Sequence, residues 1–486
     1  MDLFDLTRGI VMEGGMTGTY FVEFADRNRS QLESFGLDFA AVREIFLGRG
    51  GGESPSLLND CPSSQANFLA REHTASEWHL DALHVGKIVI NSIWDGGEIT
   101  STGTTSFRKG TSSKYQFVPL VYAFCRNDQT FYLINCDLTS RIVHLYVPKL
   151  GLAVYERSID RARELQTDFQ HSVAEAASLP NGRTAVLLDM ATNYAHQMIN
   201  HLSGIDRILA AGVDVSNCEI WSRNNEFFGP IAKLFPEFGD RVRYFSDQSE
   251  IIERINGHQG LIVRAGAVTF KQFTRARILN TAFRKYPALN YSFRYPLIAI
   301  TIRSSGRRCD NLGEVVGAIY RRLAVIFPCI GFVIDGWCFR EAELILSSSR
   351  AVCAKNRSIH EEFDYVGEVF KEIPDSAIAY NSIGQSLLES LPALIGVDCY
   401  FSHVGTLQHK VSFFSLAPGV VHGPRSQLLS IEGGSYQAEL GHAPLFLDSE
   451  AVEDTQHGGA RGDKFNDYKI VDLDSVCEKL LKALGR

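Results

Sequence analysis

The sequence predicts an α/β protein in which two successive domains with parallel sheets follow a β-rich N-terminal region. Three observations predict this fold class. Beyond residue 183, short apolar runs alternate with amphipathic helical patterns, which is typical of parallel strands joined by helices. Between residues 85 and 155, apolar and polar residues alternate with a period of two, which is typical of antiparallel strands. The 486 residues suffice for about three domains, which we place at 1–156, 157–295 and 296–486.

The composition excludes several classes of protein. Hydrophobic residues make up 45% and charged residues 21% of the chain, as in soluble globular proteins. The net charge is −8 and there is no basic tail, so we expect no nucleic-acid partner. Ten scattered cysteines without a CxxC pair indicate a reducing compartment.

The N-terminus carries acids where a signal peptide needs cations, and no apolar run reaches the ~18 residues of a membrane span. We therefore expect a cytoplasmic protein without a transmembrane segment. Contact with the inner face of the membrane is compatible with this expectation. Assembly into a homo-oligomer is left open by the sequence.

Turn residues divide the β-rich region into six predicted strands. These strands are Val85–Ile93, Glu98–Arg108, Phe117–Cys125, Thr130–Cys136, Ile142–Tyr146 and Leu152–Tyr155. Several short strands in succession favour an antiparallel sheet or sandwich. The stretch Gly48–Ser64 before them is rich in Gly, Ser and Pro and predicts a loop. We interpret the region as a structural extension, the alternative being a carbohydrate-binding or oligomerisation module.

The two α/β domains have a regular predicted alternation of elements. Their strands are Thr184–Leu188, Cys218–Trp221, Val242–Phe245, Leu261–Val263, Leu297–Ile302, Ile330–Asp335, Cys399–Phe401 and Val420–His422. Their helices include Phe227–Phe235, Ser249–Asn256, Phe273–Phe283, Leu312–Phe327, Arg340–Ser347, Ile383–Ile395, Thr406–Phe413 and Asp474–Leu484. Such an alternation predicts parallel sheets covered on both faces, with functional groups just beyond the carboxyl ends of the strands.

An arginine cluster follows one of these strands. After Leu297–Ile302 come Arg303, Arg307 and Arg308, and a helical pattern begins near Asn311. Guanidinium groups bind phosphate and carboxylate oxygens, and a helix N-terminus adds free N–H groups. The stretch therefore predicts an anion site, for which a diphosphate is the best candidate. A solvated loop with one structural ion pair is the alternative.

Missing motifs narrow the choice of function. The residues after Asp189 contain no GxGxxG, so a nicotinamide enzyme is rejected. The chain also lacks the GxxxxGK[ST] of P-loop NTPases and the GxSxG elbow of hydrolases. What remains for two successive Rossmann-like domains is the GT-B arrangement, in which a nucleotide sugar lies between the two domains.

Three blocks of the sequence resemble glycosyltransferase family 61, the DUF563 type, over residues 185–425. The first block is Asn193-Tyr194-Ala195-His196, although Gln197 stands where the family has Trp. The second is Arg303 with the arginines, Asn311 and Glu314 that follow it. The third is His403-Val404-Gly405-Thr406-Leu407, with Pro418-Gly419 farther on. Residues 1–180 are not covered by this resemblance. Over the residues that it covers, the resemblance indicates a divergent, bacterial-like member of the family.

The resemblance implies a position for the catalytic base. His196, one turn into the helix after strand Thr184–Leu188, would face the acceptor hydroxyl as general base or positioning group. A histidine pKa near neutrality suits that task. Asp189, which ends the same strand, is the rival base. The structural alternatives are a capping or core histidine and an aspartate that caps the next helix.

The resemblance also implies how the donor would be bound. Arg303, Arg307 and Arg308 would stabilise the negative charge that develops on the leaving diphosphate, with Arg303 counted as catalytic. Asn311 is grouped with them as a donor-binding residue. Alternatively, one arginine pairs with Glu314, whose expected role is to orient it.

Further donor-binding residues are expected at other strand ends. Asp335 and Gly336 end a strand, and the backbone near Gly336 and the Trp337 ring would contact the nucleotide base; a buried anchoring Trp is the alternative. Glu389 would accept hydrogen bonds from ribose hydroxyls, or else is an exposed helical acid.

His403, Gly405 and Thr406 would form a second phosphate cradle, because glycine permits close backbone approach. Lys410, in the helix that follows, is expected on the solvated surface.

The resemblance implies an inverting glycosyltransferase that moves a sugar from a nucleotide-sugar donor to a hydroxyl of a glycan or glycolipid acceptor in polysaccharide or glycoconjugate synthesis. Because no DxD motif lies at a strand end, we expect neither a metal site nor another cofactor. The alternatives are another GT-B enzyme, such as a fucosyl- or heptosyltransferase-like protein, and a non-catalytic glycan-binding protein.

Overall fold

A computed structural model describes residues 10–12, 20–47, 78–107, 117–136, 141–155, 159–172, 177–178, 182–188, 193–223, 226–291, 293–341, 350–430, 440–456 and 466–486. Asp189, the predicted loop Gly48–Ser64 and most of the predicted helix Arg340–Ser347 lie outside these residues. No helix in the described ranges is both long and apolar enough to cross a bilayer.

The strands of the described residues are β1 Ile10–Met12, β2 Tyr20–Glu23, β3 Val89–Asn91, β4 Glu98–Thr105, β5 Leu120–Arg126, β6 Gln129–Asn135, β7 Ile142–Val147, β8 Leu152–Tyr155, β9 Ala177–Ser178, β10 Thr184–Leu188, β11 Cys218–Arg223, β12 Val242–Phe245, β13 Ile262–Arg264, β14 Leu297–Thr301, β15 Gly331–Asp335, β16 Ile378–Asn381, β17 Cys399–His403, β18 Gly419–His422, β19 Leu445–Phe446, β20 Val452–Gln456 and β21 Asp467–Ile470.

The helices of the described residues are α1 Arg29–Ser34, α2 Phe39–Leu47, α3 Trp78–Val85, α4 Ile159–Ser172, α5 (194–210), α6 Ile231–Leu234, α7 Gln248–Asn256, α8 Gln272–Lys285, α9 Leu312–Ile326, α10 Arg350–Val369, α11 Leu387–Ile395, α12 Thr406–Ser415, α13 Arg425–Ser430 and α14 Leu473–Ala483. Helix α5 is α-helical over Tyr194–His196 and Ser203–Ala210, with a π-helical segment at Gln197–Leu202 between them.

The N-terminal strands form one sheet in the order β1-β2-β8-β7-β6-β5-β4-β3, and β9 pairs with β4. All neighbours are antiparallel except β2 and β8, so the predicted antiparallel sheet is confirmed. Helix α4 covers one face, where Phe169 packs against Tyr132 and Tyr146. The sheet is also tied to the next one, because Arg264 Nε donates to Asn135 Oδ1 at 2.8 Å.

Some predicted elements differ from the structure in type or extent, and one strand was not predicted. The predicted strand Val85–Ile93 is reduced to Val89–Asn91, and Val85 instead ends the unpredicted helix Trp78–Val85, in which His79, Ala82 and Leu83 form a buried stripe. Helix Ile231–Leu234 is much shorter than predicted, since Pro230 and Pro236 bound it. The unpredicted strand Ile378–Asn381 forms one edge of its sheet.

Two parallel sheets follow, in the orders β12-β11-β10-β13 and β16-β15-β14-β17-β18-β19. Counted from the first strand of each unit, these orders are 3-2-1-4 and 3-2-1-4-5-6. In sheets of this type the strand order reverses beside the first strand, and ligands bind beyond the carboxyl ends at that reversal. The reversals here lie between β10 and β13 and between β14 and β17. Both α/β units therefore have a potential binding crevice.

Apolar helix packing joins the two α/β units. Helix α8 of the first unit packs on helices α11 and α12 of the second. Phe270 stacks on Phe413 with ring centroids 5.4 Å apart, and Arg275 Nη2 donates to the Phe414 carbonyl at 2.6 Å. The core of the first unit also includes the buried side chains of Leu387 and Leu391 from α11. This packing brings the carboxyl edges of the two sheets together.

Gly204 lets helix α5 lie directly on the backbone after β13. A Cβ at this position would be 2.5 Å from the Gly266 nitrogen. Backbone atoms at such a contact must move, so we expect Gly204→Ala to lower the free energy of unfolding by about 1–3 kcal/mol in denaturant titrations.

Gly367→Ala is the matched control for this change. A Cβ on Gly367, in helix α10, would meet no atom within 4 Å. Here alanine is expected to leave stability unchanged or to raise it by up to ~1 kcal/mol. Equal losses in the two variants would contradict the contact with Gly266.

Candidate functional site

A pocket of about 400 Å³ lies between the two α/β units, at the carboxyl ends of β14, β15 and β17. Its lining residues come from loops and helix ends of both units. They are Asn193, Tyr194, Phe227, Arg303, Ser305, Arg307, Gly336, Trp337, Cys338, Arg340, Glu362, Thr406 and Leu407. The pocket thus opens where the strand order of the second sheet reverses.

Two helix N-termini meet at this pocket. Asn193 caps helix α5 by accepting from the Ala195 N–H at 2.9 Å, and its Nδ2 donates to Thr406 Oγ1 at 3.0 Å. The Tyr194 hydroxyl donates to the carbonyl of Thr406, the first residue of α12, at 2.9 Å. Helix N-termini carry partial positive charge, so two of them facing one cavity favour an anion between them.

Arg303 adds a full positive charge to the pocket wall. It follows β14, and its Nε donates to the carbonyl oxygens of Ser305 and Gly306, which fixes the base of the guanidinium. Among the described residues no carboxylate lies within ion-pair distance of it. Burial lowers the pKa of this guanidinium, which indicates a cation held in a partly desolvated place.

Arg307 is the second arginine of the pocket. Its Nη1 donates to Gln427 Oε1 at 3.3 Å, and its backbone is left-handed with φ 68°. Burial and then the neighbouring Arg303 lower its pKa to about 10. A Cβ on Gly405, whose φ is 108°, would lie 3.4 Å from the same Nη1. An anion between the two arginines would relieve their mutual repulsion.

His403 lies behind these arginines at the end of β17. Its Nδ1 lies 3.2 Å from the Thr301 carbonyl, while its buried Nε2 has no hydrogen-bond partner among the described residues. Burial, His422, Arg303 and Arg307 all lower its pKa, so the ring is neutral. A neutral ring with one open nitrogen can give or accept one hydrogen bond.

Asp335 forms a buried ion pair behind the pocket wall rather than lining it. Its Oδ1 lies 2.5 Å from Lys410 Nζ and accepts from Ser382 Oγ at 2.7 Å, and all three residues have 0% exposure. Burial opposes the charge on Lys410, but Asp335 and Cys338 raise its pKa above the usual value. The prediction that Lys410 is a solvated surface residue was therefore wrong.

The loop after β15 presents Gly336 and Trp337 to the pocket. Trp337 is 41% exposed, so it is not a buried anchor and is free to contact a ligand. The backbone N–H of Trp337 donates to Oε2 of Glu362, from helix α10, at 2.7 Å. A Cβ on Gly336 would meet that same oxygen at 2.4 Å. Glycine at 336 is therefore what lets the carboxylate reach the pocket.

Besides Asp335, His403 and Gly405, which adjoin the pocket without lining it, the predicted donor-binding residues Arg308, Asn311 and Glu389 also lie outside it. Arg308 lies over the Tyr365 ring at 4.3 Å and pairs with Glu368 at 3.7 Å. Asn311 exchanges hydrogen bonds with the backbone of Ile470, at 2.8 Å to the carbonyl and 2.9 Å from the N–H. Both residues thus hold the arginine loop to neighbouring elements of the second unit.

Glu389 belongs to a capping box with Ser386 at the start of helix α11, which satisfies its carboxylate locally. Glu314 is exposed and accepts from Asn311 at 3.4 Å, so it does not orient an arginine as predicted.

The two predicted bases have different outcomes. His196 is exposed, its Nδ1 lies 3.1 Å from Asn200 Oδ1, and it does not line the pocket. Asp189 lies outside the described residues. The structure therefore brings together Arg303, Arg307, Gly336 and Thr406, with Gly405 and His403 directly beside them.

Glu362 is the main residue that the sequence analysis missed. It is 1% exposed on the face of α10 that also buries Ile359, Tyr365 and Val369. An acid at helical spacing within an apolar stripe is the signal that could have identified it.

The pocket as a whole suits an anionic ligand with a ring. Two arginines and two helix N-termini can hold phosphate oxygens, Trp337 and Phe227 provide aromatic surface, and Glu362 can exchange a proton or accept from hydroxyls. Among the described residues, no cluster of three or more His, Cys, Asp or Glu side chains is arranged to hold a metal ion.

Comparisons with known proteins give only a distant likeness. No family model matches the chain, and no curated protein matches it. A solved structure titled GtfA/B complex is 12% identical over 76% of this chain, with a TM-score of 0.22, and the chain covers 64% of its length. A mutant of S. aureus TarM, in complex with Fondaparinux, alpha-GlcNAc-glycerol and UDP, is 11% identical over 84% of this chain and 75% of its own, with a TM-score of 0.21.

Proposed function

We propose that the chain is an inverting, metal-independent glycosyltransferase of the GT-B type, which moves a sugar from a nucleotide-sugar donor to a hydroxyl of a glycan or glycolipid. The observation that carries the proposal is the convergence of Arg303, Arg307 and the N-terminus of α12 on one pocket between two α/β units. A diphosphate ester is the ligand whose charge and oxygen count fit these groups.

The residues have separate roles in this proposal. The two guanidinium groups and the N–H groups that begin α12 bind the diphosphate. The exposed ring of Trp337 contacts the base or the sugar. The acceptor enters from the side of the first unit, where Asn193 and Tyr194 form the wall.

The proposed step is a single displacement. The acceptor oxygen forms a bond to the anomeric carbon, and the bond from that carbon to the diphosphate oxygen breaks with its electron pair on the leaving group. Arg303 and Arg307 stabilise the charge that develops there, which is where fixed cations lower a barrier. Their positions support the metal-free form of the reaction.

A thermal-shift screen of nucleoside diphosphates and nucleotide sugars, in EDTA and in Mg²⁺, tests the proposal. A ligand at about 100 times its Kd stabilises the protein by ~2.7 kcal/mol, which is readily measured. We expect one nucleoside diphosphate to raise Tm equally in EDTA and in Mg²⁺. The base of that nucleotide then identifies the donor class.

The other outcomes are also informative. A rise in Tm that requires Mg²⁺ would contradict the metal-free mechanism. It would still support a nucleotide-binding site in the pocket. If no nucleotide shifts Tm while a glycan does, the chain is a glycan-binding protein and the transferase proposal fails.

A further inference from the structure

We propose that Glu362 is the general base of the transfer reaction, acting on the acceptor hydroxyl within the pocket. This inference rests on the proposed function and assigns the proton-accepting role to a residue outside every motif of the sequence. It replaces the expectation that His196 fills this role.

The pocket wall offers few groups that can accept a proton. Glu362 is the single carboxylate among the described residues that line it. Burial raises the pKa values of the other two neutral candidates there, Tyr194 and Cys338, so neither is ionised near neutral pH. His196 is exposed and lies outside the lining.

The carboxyl group of Glu362 is held in one orientation. Its Oε2 accepts from the backbone N–H of Trp337 at 2.7 Å, and Gly336 leaves the space that this oxygen occupies. The residue is 1% exposed, so the group is fixed by its surroundings and not by solvent. A positioned base contributes more to catalysis than a mobile one because its reacting geometry is already set.

The charges around Glu362 suit proton transfer near neutral pH. Burial, with a further contribution from Asp335, raises its pKa to about 8, although the Trp337 N–H, Arg303 and Lys410 act in the opposite direction. A base with a pKa close to the working pH is ionised in a useful fraction of molecules and still holds the proton it takes.

The step balances in atoms and charge. The acceptor O–H proton passes to the Glu362 carboxylate, the acceptor oxygen bonds to the anomeric carbon, and the diphosphate leaves with the electron pair of the broken bond. Glu362 returns its proton to solvent once the product leaves. With water as acceptor, the same step hydrolyses the donor.

The test compares the wild type with Glu362→Gln, using those nucleotide sugars whose diphosphates raise Tm. Released nucleoside diphosphate is measured from pH 6 to 10, and nucleoside diphosphate affinity is measured by calorimetry. Because the base must be ionised, the wild-type rate should rise with pH and level off above about 8. Glutamine can still accept from the backbone N–H of Trp337, so we expect nucleotide affinity to be retained. The rate should fall ~10²–10⁴-fold and no longer rise with pH.

Glu361→Gln is the matched control, since Glu361 is the exposed neighbour in the same helix. It should keep both rate and pH profile, and Glu362→Asp should recover part of the rate. The assignment is overturned if the rate of Glu362→Gln still rises with pH. It is also overturned if this rise disappears in His196→Ala. A wild type that binds nucleotide but hydrolyses no donor also overturns it, whereas absence of nucleotide binding refutes the proposed function itself.

Discussion

Replacing Arg303 by glutamine is expected to weaken nucleoside diphosphate binding by about 10–100-fold and to lower the transfer rate by ~10²–10³-fold. Arg303 lines the pocket without an ion-pair partner among the described residues, so its charge is available to a ligand. The loss of rate should exceed the loss of affinity because the diphosphate gains charge in the transition state. Calorimetry and a diphosphate-release assay measure the two quantities separately.

Arg308→Gln is the control for this variant, because it removes the same charge from the same loop. Arg308 is stacked over Tyr365 and lies outside the pocket, so ligand affinity should be unchanged. Equal losses in the two variants would mean that the loop acts through its overall charge and that the pocket is not the anion site.

Replacing Lys410 by methionine is expected to lower the free energy of unfolding by ~3–5 kcal/mol. Both members of its ion pair with Asp335 have 0% exposure, and the second oxygen of Asp335 has no partner among the described residues. Methionine would leave the carboxylate buried without a counter-charge. Urea titrations near pH 7 measure the effect.

Two further variants test the mechanism of this loss. Lys479→Met removes a partly exposed pair with Asp448, at 3.2 Å, and should cost at most ~1 kcal/mol. The double variant Asp335→Asn with Lys410→Met should lose less unfolding free energy than the two single variants lose together. The reason is that no buried charge without a counter-charge remains in it. If Lys410→Met lowers the free energy of unfolding no more than Lys479→Met does, the prediction is wrong. Asp335 would then not be a buried charge without a counter-charge in the Lys410→Met variant.

The strands around the site were largely predictable from sequence. Thr184–Leu188 and Val242–Phe245 match the structure at both ends, because runs of apolar residues bounded by turns indicate strands buried in parallel sheets. The order of strands, however, depends on which helices cross which face. That information is spread over the whole chain and not contained in any one run.

The site was predictable only in part, because adjacent residues can face different surroundings. Arg307 and Arg308 are neighbours, yet the left-handed backbone at Arg307 sends one to the pocket and the other to Tyr365. Lys410 was misplaced because a buried lysine is rare unless paired, and its partner Asp335 is distant in sequence. The position of Glu362 was not predicted for the same reason, because only the folded structure brings this residue to Trp337.

Helix α12 connects ligand recognition to the joining of the two units. Its first residue, Thr406, faces the pocket, while Phe413 and Phe414 near its other end belong to the core of the first unit. A helix of this length is stiff, so one end cannot shift freely while the other stays packed. The cleft is therefore preorganised, and a ligand that enters it loses little binding free energy to domain closure.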